Sequence, residues 1–244
     1  MEELRAVILA AGKGTRMKSD LPKVVHTIDD KWLVDYVIEA ARGAGAKEVC
    51  LVVGYKNEVV KDKILNKDVS YAIQEEQLGT GHAVKCASDF LQGDGETLIL
   101  CGDTPLITAA TLKKLCDYHR QNKNAVTVLS AMVDDPTGYG RIIRDENGTF
   151  VKSVEHKDAS EEELQSHEIN SGMYLFQTQE LKSALGLLTT DNAQGEYYLP
   201  DTLTIIKDRG LRVDAFALES AEEIAGVNDK EQLADAAKVI AGRK

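Results

Sequence analysis

The chain carries the stretch AVILAAGKGTRM at residues 6–17, and LPK follows at residues 21–23. Its first five residues are apolar and predict a short buried strand, which opens into a loop with two glycines. Glycine adopts φ > 0 readily, and a concave row of backbone N–H groups suits phosphate oxygens. Lys13, Arg16 and Lys23 add the positive charge that a polyphosphate needs. The stretch therefore predicts the first strand-to-loop crossover of an open α/β sheet, where such sheets bind nucleotides.

Strands and helices alternate through the first half of the chain. Apolar runs that predict strands lie at 6–10, 48–53, 70–73 and 97–101. Apolar residues at helical spacing lie between them, and Thr108 is placed to cap the helix that follows. This order predicts βαβ units, and hence an α/β fold with a mostly parallel central sheet.

The second half of the chain changes character. Its strand-like runs are joined by polar turns and lie at 126–133, 140–144, 150–155, 169–176 and from 210 onward. The pattern predicts a smaller β-region appended over the active site rather than a separate domain. Residues 229–241 predict a closing amphipathic helix.

Composition narrows the function classes. The 244 residues are 43% hydrophobic and 28% charged, as in an ordinary soluble globular protein. The formal net charge of −11 argues against nucleic acid or an anionic membrane as the main partner. No apolar run reaches the roughly 18 residues of a spanning helix, and the acidic start at Met1–Leu4 is no signal peptide. Four cysteines without the close pairing of a zinc site predict free thiols in a reducing cytoplasm.

Two further motifs predict ligand contacts. In QEEQLGTGHA at 74–83, Gln74 carries a donor and an acceptor that suit the edge of a nucleobase, while helix capping by Thr80 and packing or capping by His82 are the simpler interpretations. Asp103 directly follows a strand, where a carboxylate points into the ligand crevice and suits Mg²⁺; a turn-capping role is the alternative.

Residues with sugar-binding chemistry follow later in the chain. Tyr139 is a flat aromatic flanked by glycines, and Glu155 and Asn170 offer hydrogen bonds to vicinal hydroxyls or an amide. Singly, each is more often an ordinary surface residue. Met17 stands where a dinucleotide-binding loop needs its third glycine, which disfavours an NAD-dependent oxidoreductase.

Together these segments resemble the uridylyltransferase half of the bacterial bifunctional N-acetylglucosamine-1-phosphate uridylyltransferase/glucosamine-1-phosphate acetyltransferase family. The resemblance runs through essentially the whole chain, and the blocks that carry it lie at 9–17, 21–23, 77–83, 102–103, 135–141, 154–158, 168–172, 192–198 and 226–228. The glycine loop is shared by many sugar nucleotidyltransferases, whereas the middle and later blocks are more particular to this family.

The resemblance implies a Rossmann-like nucleotidyltransferase fold and the reaction of UTP with N-acetyl-α-D-glucosamine 1-phosphate. The products would be pyrophosphate and UDP-N-acetylglucosamine, a precursor for cell wall and lipopolysaccharide. The implied cofactor is Mg²⁺, and the implied partners are the two small substrates in the cytoplasm. Within one domain over 1–244, residues 1–125 would mainly bind nucleotide, 126–228 would mainly bind the sugar, and 229–244 would form the C-terminal helix.

The resemblance also implies roles by position. Arg16 and Lys23 would be catalytic, binding the phosphates and stabilising charge at the α-phosphorus, and Asp103 and Asn228 would hold Mg²⁺. The substrate-binding positions and their neighbours are Leu9, Ala10, Ala11, Gly12, Gln74, Gly79, Thr80, Cys101, Gly102, Asp103, Tyr139, Gly140, Glu155, Asn170 and Asn228.

The sequence departs from the family pattern in three places. Cys101 stands where an aromatic residue is frequent near the sugar, and Pro200 stands where a small hydroxyl residue is common. The chain ends at Lys244, so we expect neither the acetyltransferase β-helix domain nor the trimer that it forms, and the oligomeric state is left open. Two alternatives are a nucleotidyltransferase of other sugar specificity, such as glucose 1-phosphate, and a non-catalytic nucleotide-sugar-binding subunit. The intact basic and metal-binding positions argue against the second alternative.

Overall fold

The computed structural model describes residues 3–243. Met1 and Glu2 of the acidic start, and Lys244 of the predicted 229–244 segment, lie outside this range. The strands are β1 (Leu4–Ala10), β2 (Thr27–Ile28), β3 (Lys31–Trp32), β4 (Glu48–Val53), β5 (Ser70–Ile73), β6 (Glu96–Cys101), β7 (Val126–Met132), β8 (Arg141–Arg144), β9 (Phe150–Val154), β10 (Glu168–Gln177) and β11 (Val213–Leu218). The helices are α1 (Leu33–Gly43), α2 (Asn57–Lys63), α3 (Thr80–Cys86), α4 (Ala109–Asn122), α5 (Thr178–Leu185), α6 (Asp201–Asp208) and α7 (Lys230–Gly242).

One mixed sheet organises the described residues. Its main path runs β11-β7-β10-β6-β1-β4-β5, and the β8–β9 hairpin branches from β10. Every strand on this path runs in the same direction except β10, which is antiparallel to both of its neighbours. The predicted α/β class with a mostly parallel sheet is confirmed.

The central strands are apolar on both faces, which explains why helices cover both sides of the sheet. In β1, Ile8 packs into one core cluster with the helices α1 and α4, whereas the adjacent Val7 packs into a second cluster with α3, α5 and α6. The alternation repeats in β6, where Leu98 and Leu100 join the first cluster and Ile99 joins the second. Strands buried on both faces are typical of parallel α/β sheets.

The second half of the chain is placed differently from our expectation. The predicted strands form, but β7, β10 and β11 extend the central sheet, and only the β8–β9 hairpin is an appended region. The physical reason is that β7 is apolar on both faces: Val128 packs on one side of the sheet and Leu129 on the other. The strand expected from residue 210 begins at Val213, and Asp229 is the N-cap of α7 rather than part of it.

The reversed direction of β10 positions the site. Because β10 runs against its neighbours, its first residues lie at the edge where β1 and β6 end. The register of β10 against β7 shifts between Asn170 and Tyr174, and Gly172 within this bulge has φ 76°. Thr108 caps α4 by accepting a hydrogen bond from the Thr111 N–H at 3.1 Å, as predicted. None of the helices described between residues 3 and 243 is both long enough and apolar enough to cross a membrane.

Candidate functional site

The loop after β1 brings a basic side chain back to the sheet. Gly14 has φ 63°, and a Cβ atom there would lie 2.6 Å from the Cβ of Lys23, so only glycine allows this approach. Gly12 behaves differently from our expectation, because it does not have a positive φ. A Cβ at Gly12 would meet nothing within 4 Å, which leaves open space above its backbone.

Three predicted residues meet at the carboxyl end of the sheet. The Lys23 ammonium donates a hydrogen bond to Asp103 Oδ2 and a second to Asn228 Oδ1 at 2.8 Å. The side chains of Lys23 and Asp103 are only 15% and 21% exposed. The N–H of Val227 donates to the Asp103 carbonyl at 2.8 Å, which fastens the distant segment that carries Asn228 to the end of β6.

The oxygens of Asp103 and Asn228 fit a magnesium ion. Both converge on one cationic atom, the Lys23 ammonium nitrogen, so the site already stabilises a positive charge between them. Carboxylate and amide oxygens are hard ligands, and Mg²⁺ usually takes one or two from protein and the rest from phosphate and water. Over residues 3–243 there is no group of three or more His, Cys, Asp or Glu side chains that could hold a metal alone.

A cavity of about 420 Å³ opens beside this cluster, and we call it the carboxylate pocket. It is lined by Arg16, Cys101, Asp103, Thr104, Thr137, Gly138, Tyr139, Ser171, Ile224, Gly226, Asn228 and Gln232. Arg16 is exposed and forms no ion pair with any residue that the structure describes, so its guanidinium is available to an anion. Burial raises the pKa of Cys101 to about 12, so its side chain stays a protonated thiol at neutral pH.

A second cavity of about 280 Å³ lies over the glycine loop, and we call it the glycine pocket. It is lined by Leu9, Ala11, Gly12, Gln74, Gln77, Gly79, Thr80, Ala83 and Glu196. The two pockets flank adjacent strand ends, because Leu9 of β1 is paired with Cys101 of β6 in the sheet. Predicted positions Ala10 and Gly102 lie between them, where the Gly102 N–H donates to the Leu9 carbonyl at 2.9 Å.

Hydrogen bonds hold the walls of the glycine pocket. Gln74 is 4% exposed, and its Nε2 donates to the Gly79 carbonyl at 3.1 Å. Gln77 Nε2 donates to the Ala11 carbonyl at 2.7 Å. The capping role considered for Thr80 is wrong, because Gly79 is the N-cap of α3 and no side chain caps it. Thr80 Oγ1 instead accepts from the Leu199 N–H at 3.1 Å, which ties the pocket to the segment before α6.

Three more predicted residues form a group next to the pockets without lining either. A Cβ at Gly140 would lie 3.2 Å from Glu155 Oε1 and 3.6 Å from the Asn170 Cβ. Burial, followed by the nearby carboxylates of Asp201, Asp158 and Glu196, raises the pKa of Glu155. This group lies beside the bulge of β10 and closes one side of the site.

The Asn170 amide is engaged within the protein. Its Nδ2 donates to Ser153 Oγ at 3.0 Å and to the Tyr174 hydroxyl at 2.9 Å, and its Oδ1 accepts from the Gly172 N–H at 2.9 Å. Asn170 therefore shapes the bulge that faces Cys101, whose Sγ lies 3.5 Å from the Gly172 carbonyl.

Two residues singled out in the sequence lie elsewhere. Lys13 places its ammonium 5.5 Å from the ring centroid of Tyr55 and lines a neighbouring cavity rather than either pocket. Pro200 is buried and is the N-cap of α6. Of the three basic residues predicted to bind polyphosphate, Arg16 and Lys23 thus lie at the candidate site and Lys13 lies outside it.

Sequence reasoning missed several pocket residues. Gln77 belongs to a motif that we quoted, but no side-chain role was assigned to it. Ser171, Ile224 and Gln232 lie within four residues of predicted positions, and Glu196 belongs to the quoted block at 192–198. Proximity to a motif was the available signal, but only the folded chain shows which neighbours face a pocket.

The family model described as "Nucleotidyl transferase" matches residues 5–221, which include both glycine motifs and Asp103. The chain belongs to the nucleotidyl transferase family. This nucleotidyl transferase is 57% identical over 243 residues to the "Bifunctional protein GlmU" of Caldanaerobacter subterraneus subsp. tengcongensis and 53% identical over 243 residues to that of Thermoanaerobacter pseudethanolicus. It is 49% identical over 239 residues to the GlmU protein of Clostridioides difficile.

These matches cover 98–100% of the nucleotidyl transferase but only 52–53% of each relative. The chain thus spans about half the length of the curated relatives that it matches. A solved structure, UDP-glucose pyrophosphorylase complexed with UDP-glucose, superposes with a TM-score of 0.79 at 20% sequence identity, covering 100% of both chains. This nucleotidyl transferase has the same Rossmann-like fold, and the family resemblance and fold predicted from the sequence are confirmed.

Proposed function

We propose that the chain is a uridylyltransferase that joins UTP to N-acetyl-α-D-glucosamine 1-phosphate and releases pyrophosphate. The observation that carries this proposal is the convergence of Asp103 and Asn228 on the Lys23 ammonium, in a pocket that also presents the free guanidinium of Arg16. Polyanionic reactants need local cations in a protein of net charge −11, and Arg16, Lys23 and a Mg²⁺ ion held by Asp103 and Asn228 would supply them. The sequence identity to the GlmU proteins supports the same reaction.

We assign the base and the phosphates of UTP to different pockets. We assign the uracil to the glycine pocket, where Gln74 and the open space above Gly12 face the ligand. The phosphates would then extend toward the carboxylate pocket and Arg16, and the sugar toward Tyr139 and the group around Glu155. This assignment keeps the proposed division in which residues 1–125 mainly bind nucleotide and 126–228 mainly bind the sugar.

The chemistry needs alignment more than proton transfer. A phosphate oxygen of the sugar phosphate attacks the α-phosphorus of UTP, the bond from that phosphorus to the oxygen bridging the β-phosphorus breaks, and pyrophosphate leaves. The attacking oxygen is already ionised at neutral pH, so no general base is required. Arg16 and Lys23 hold the phosphates in line and stabilise the negative charge that develops in the transition state.

Asp103 and Asn228 would hold the magnesium ion. When bound, Mg²⁺ supplies Lewis-acid stabilisation of the phosphate oxygens and a template that orients them. We propose the cytoplasm as the compartment, where UTP and Mg²⁺ are both available; the four free cysteines suit its reducing conditions.

A pyrophosphate-release assay tests the function. The chain is incubated with UTP and each of a panel of sugar 1-phosphates, including N-acetylglucosamine 1-phosphate and glucose 1-phosphate, with and without Mg²⁺. We expect Mg²⁺-dependent release that is fastest with N-acetylglucosamine 1-phosphate. Faster release with glucose 1-phosphate would overturn the sugar assignment, and no release with any sugar would overturn the enzyme assignment.

A further inference from the structure

A histidine behind the glycine pocket contacts the predicted base-binding amide without lining the pocket itself. His82 lies on α3, and its Nδ1 is 3.1 Å from Nε2 of Gln74. On its other side, His82 Nε2 lies 3.9 Å from Cys86 Sγ, and its ring lies 6.2 Å from the ring of Tyr197, tilted by 30°. His82 can therefore affect a bound ligand through its contact with Gln74, and not by direct contact.

The two neighbours of the Gln74 amide nitrogen fix which way the amide faces. The Gly79 carbonyl, 3.1 Å away, can only accept a hydrogen bond, so it requires the nitrogen rather than the oxygen of Gln74. The second amide hydrogen then points at His82 Nδ1, which accepts when the imidazole is neutral with its proton on Nε2. Both donors of Gln74 are used inside the protein.

The consequence is that Gln74 offers the pocket an acceptor. Its Oε1 has no hydrogen-bond partner among residues 3–243, and Gln74 lines the glycine pocket. Placed opposite ring position 3, an acceptor favours uracil, whose N3–H is a donor, and opposes cytosine, whose N3 is itself an acceptor. An amide that turned over would place its oxygen against the Gly79 carbonyl and lose both donor bonds, so the opposite polarity is disfavoured.

We propose that His82 is a positioning residue for base selection. Together with the Gly79 carbonyl, it holds the Gln74 amide with its oxygen toward the bound base, and it thereby favours UTP over CTP. This inference rests on the proposed function, because it takes the glycine pocket as the site of the base.

Two variants separate positioning from simple packing. His82→Phe keeps a ring beside Tyr197 but removes the acceptor at Nδ1, whereas His82→Asn removes the ring and keeps an acceptor near the same place. If His82 only packs, the Phe variant resembles the parent and the Asn variant is impaired. If His82 positions Gln74, the order is reversed. Cys86→Ala is the matched control, because it removes the other polar contact of His82 and leaves Gln74 untouched.

Calorimetric binding of UTP and CTP, and steady-state kinetics with each, measure the effect. We expect His82→Phe to lower the UTP-to-CTP affinity ratio about five- to tenfold, as for one lost hydrogen bond, and to raise the KM for UTP while kcat stays within about twofold. His82→Asn and Cys86→Ala should keep the ratio of the parent. Should the Phe variant fail to fold, judged from its thermal melt, His82→Leu replaces it with the same expectation.

The outcomes distinguish this inference from the proposed function. An unchanged ratio in the Phe and Leu variants overturns the positioning role, even if the parent makes UDP-N-acetylglucosamine. A parent that binds CTP as tightly as UTP, or binds neither, also overturns it. A parent that binds UTP selectively but releases no pyrophosphate overturns the proposed reaction and leaves the role of His82 supported by the binding ratios.

Discussion

The two pockets at the end of the sheet are built in different ways. Small residues and two side-chain amides supply most of the lining of the glycine pocket, and eight of its nine lining residues lie in two segments, 9–12 and 74–83. The carboxylate pocket takes its charged and polar groups from segments as distant as Arg16 and Gln232. The glycine pocket, built from segments close in sequence, presents a fixed shape. The carboxylate pocket, built from segments far apart in sequence, brings opposite charges together. On the proposed function, the glycine pocket would select the base and the carboxylate pocket would supply charge for the reaction.

Removal of the Arg16 guanidinium should produce the largest change in turnover. Arg16→Ala is expected to lower turnover about 10²-fold or more and to change UTP affinity little, because in the proposed mechanism Arg16 stabilises charge that develops only in the transition state. Pyrophosphate release and calorimetry measure the two quantities. Lys13→Ala is the control, since Lys13 lies over Tyr55 outside both pockets. Equal turnover in the Arg16 variant and the parent would remove charge stabilisation from the carboxylate pocket.

A change of one carboxylate to an amide should weaken metal binding. Asp103→Asn keeps the oxygen but removes the negative charge, and we expect Mn²⁺, used as a probe for Mg²⁺, to bind about tenfold more weakly in the presence of UTP. The electron paramagnetic resonance signal of free Mn²⁺ reports the binding. The exposed Asp158 provides the control Asp158→Asn. Equal Mn²⁺ affinity in both variants would place the metal elsewhere.

Substitution of the two loop glycines should affect different properties, stability at Gly14 and UTP binding at Gly12. Gly14→Ala introduces a side chain at φ 63° and 2.6 Å from the Lys23 Cβ, so we expect a fall in Tm of about 2–4 °C or more. Gly12→Ala meets open space, so its Tm should stay within about 1 °C of the parent while the KM for UTP rises several-fold. Thermal melts and UTP titrations test both. A Gly12 variant with unchanged KM would show that no ligand uses that space.

The smallest expected effect is a pH-dependent gain in stability. Burial raises the pKa of Glu155, so the folded chain binds its proton more tightly than the unfolded chain does. The ionised Glu155 therefore lowers the free energy of unfolding. This loss is absent below the pKa of Glu155 in the unfolded chain, grows as pH rises toward its pKa in the folded chain, and is complete above that pKa. Glu155→Gln should therefore raise Tm by about 2 °C at pH 7 and leave it unchanged near pH 4. A gain of equal size at both pH values would contradict a charge penalty.

The sequence predicted local structure well and long-range placement poorly. The strand that ends at Ala10 and the helix capped by Thr108 depend on residues within one short window, and they form as expected. The position of β10 depends on pairing with β6 and β7, which lie more than 35 residues away, so its place in the main sheet did not follow from its own pattern.

The candidate site shows the same limit. Asp103 and Asn228 are 125 positions apart, and only the family resemblance indicated that they meet. Thr80 is a good capping residue by type, but the tertiary contact with Leu199 uses its hydroxyl. The polarity of Gln74 was equally hidden, because an amide in a sequence carries no direction until its neighbours are in place.

The pairing of Leu9 with Cys101 has a consequence for how specificity changes in this fold. Neighbouring strands in a sheet lie about 4.8 Å apart, a spacing set by backbone hydrogen bonds and not by side chains. If the two pockets hold the two reactants as proposed, the distance between the reactants is therefore set by the backbone hydrogen bonds of the sheet. Substitution of side chains in either pocket can change which molecules bind. The distance between the pockets, and therefore the distance over which the new bond must form, stays the same.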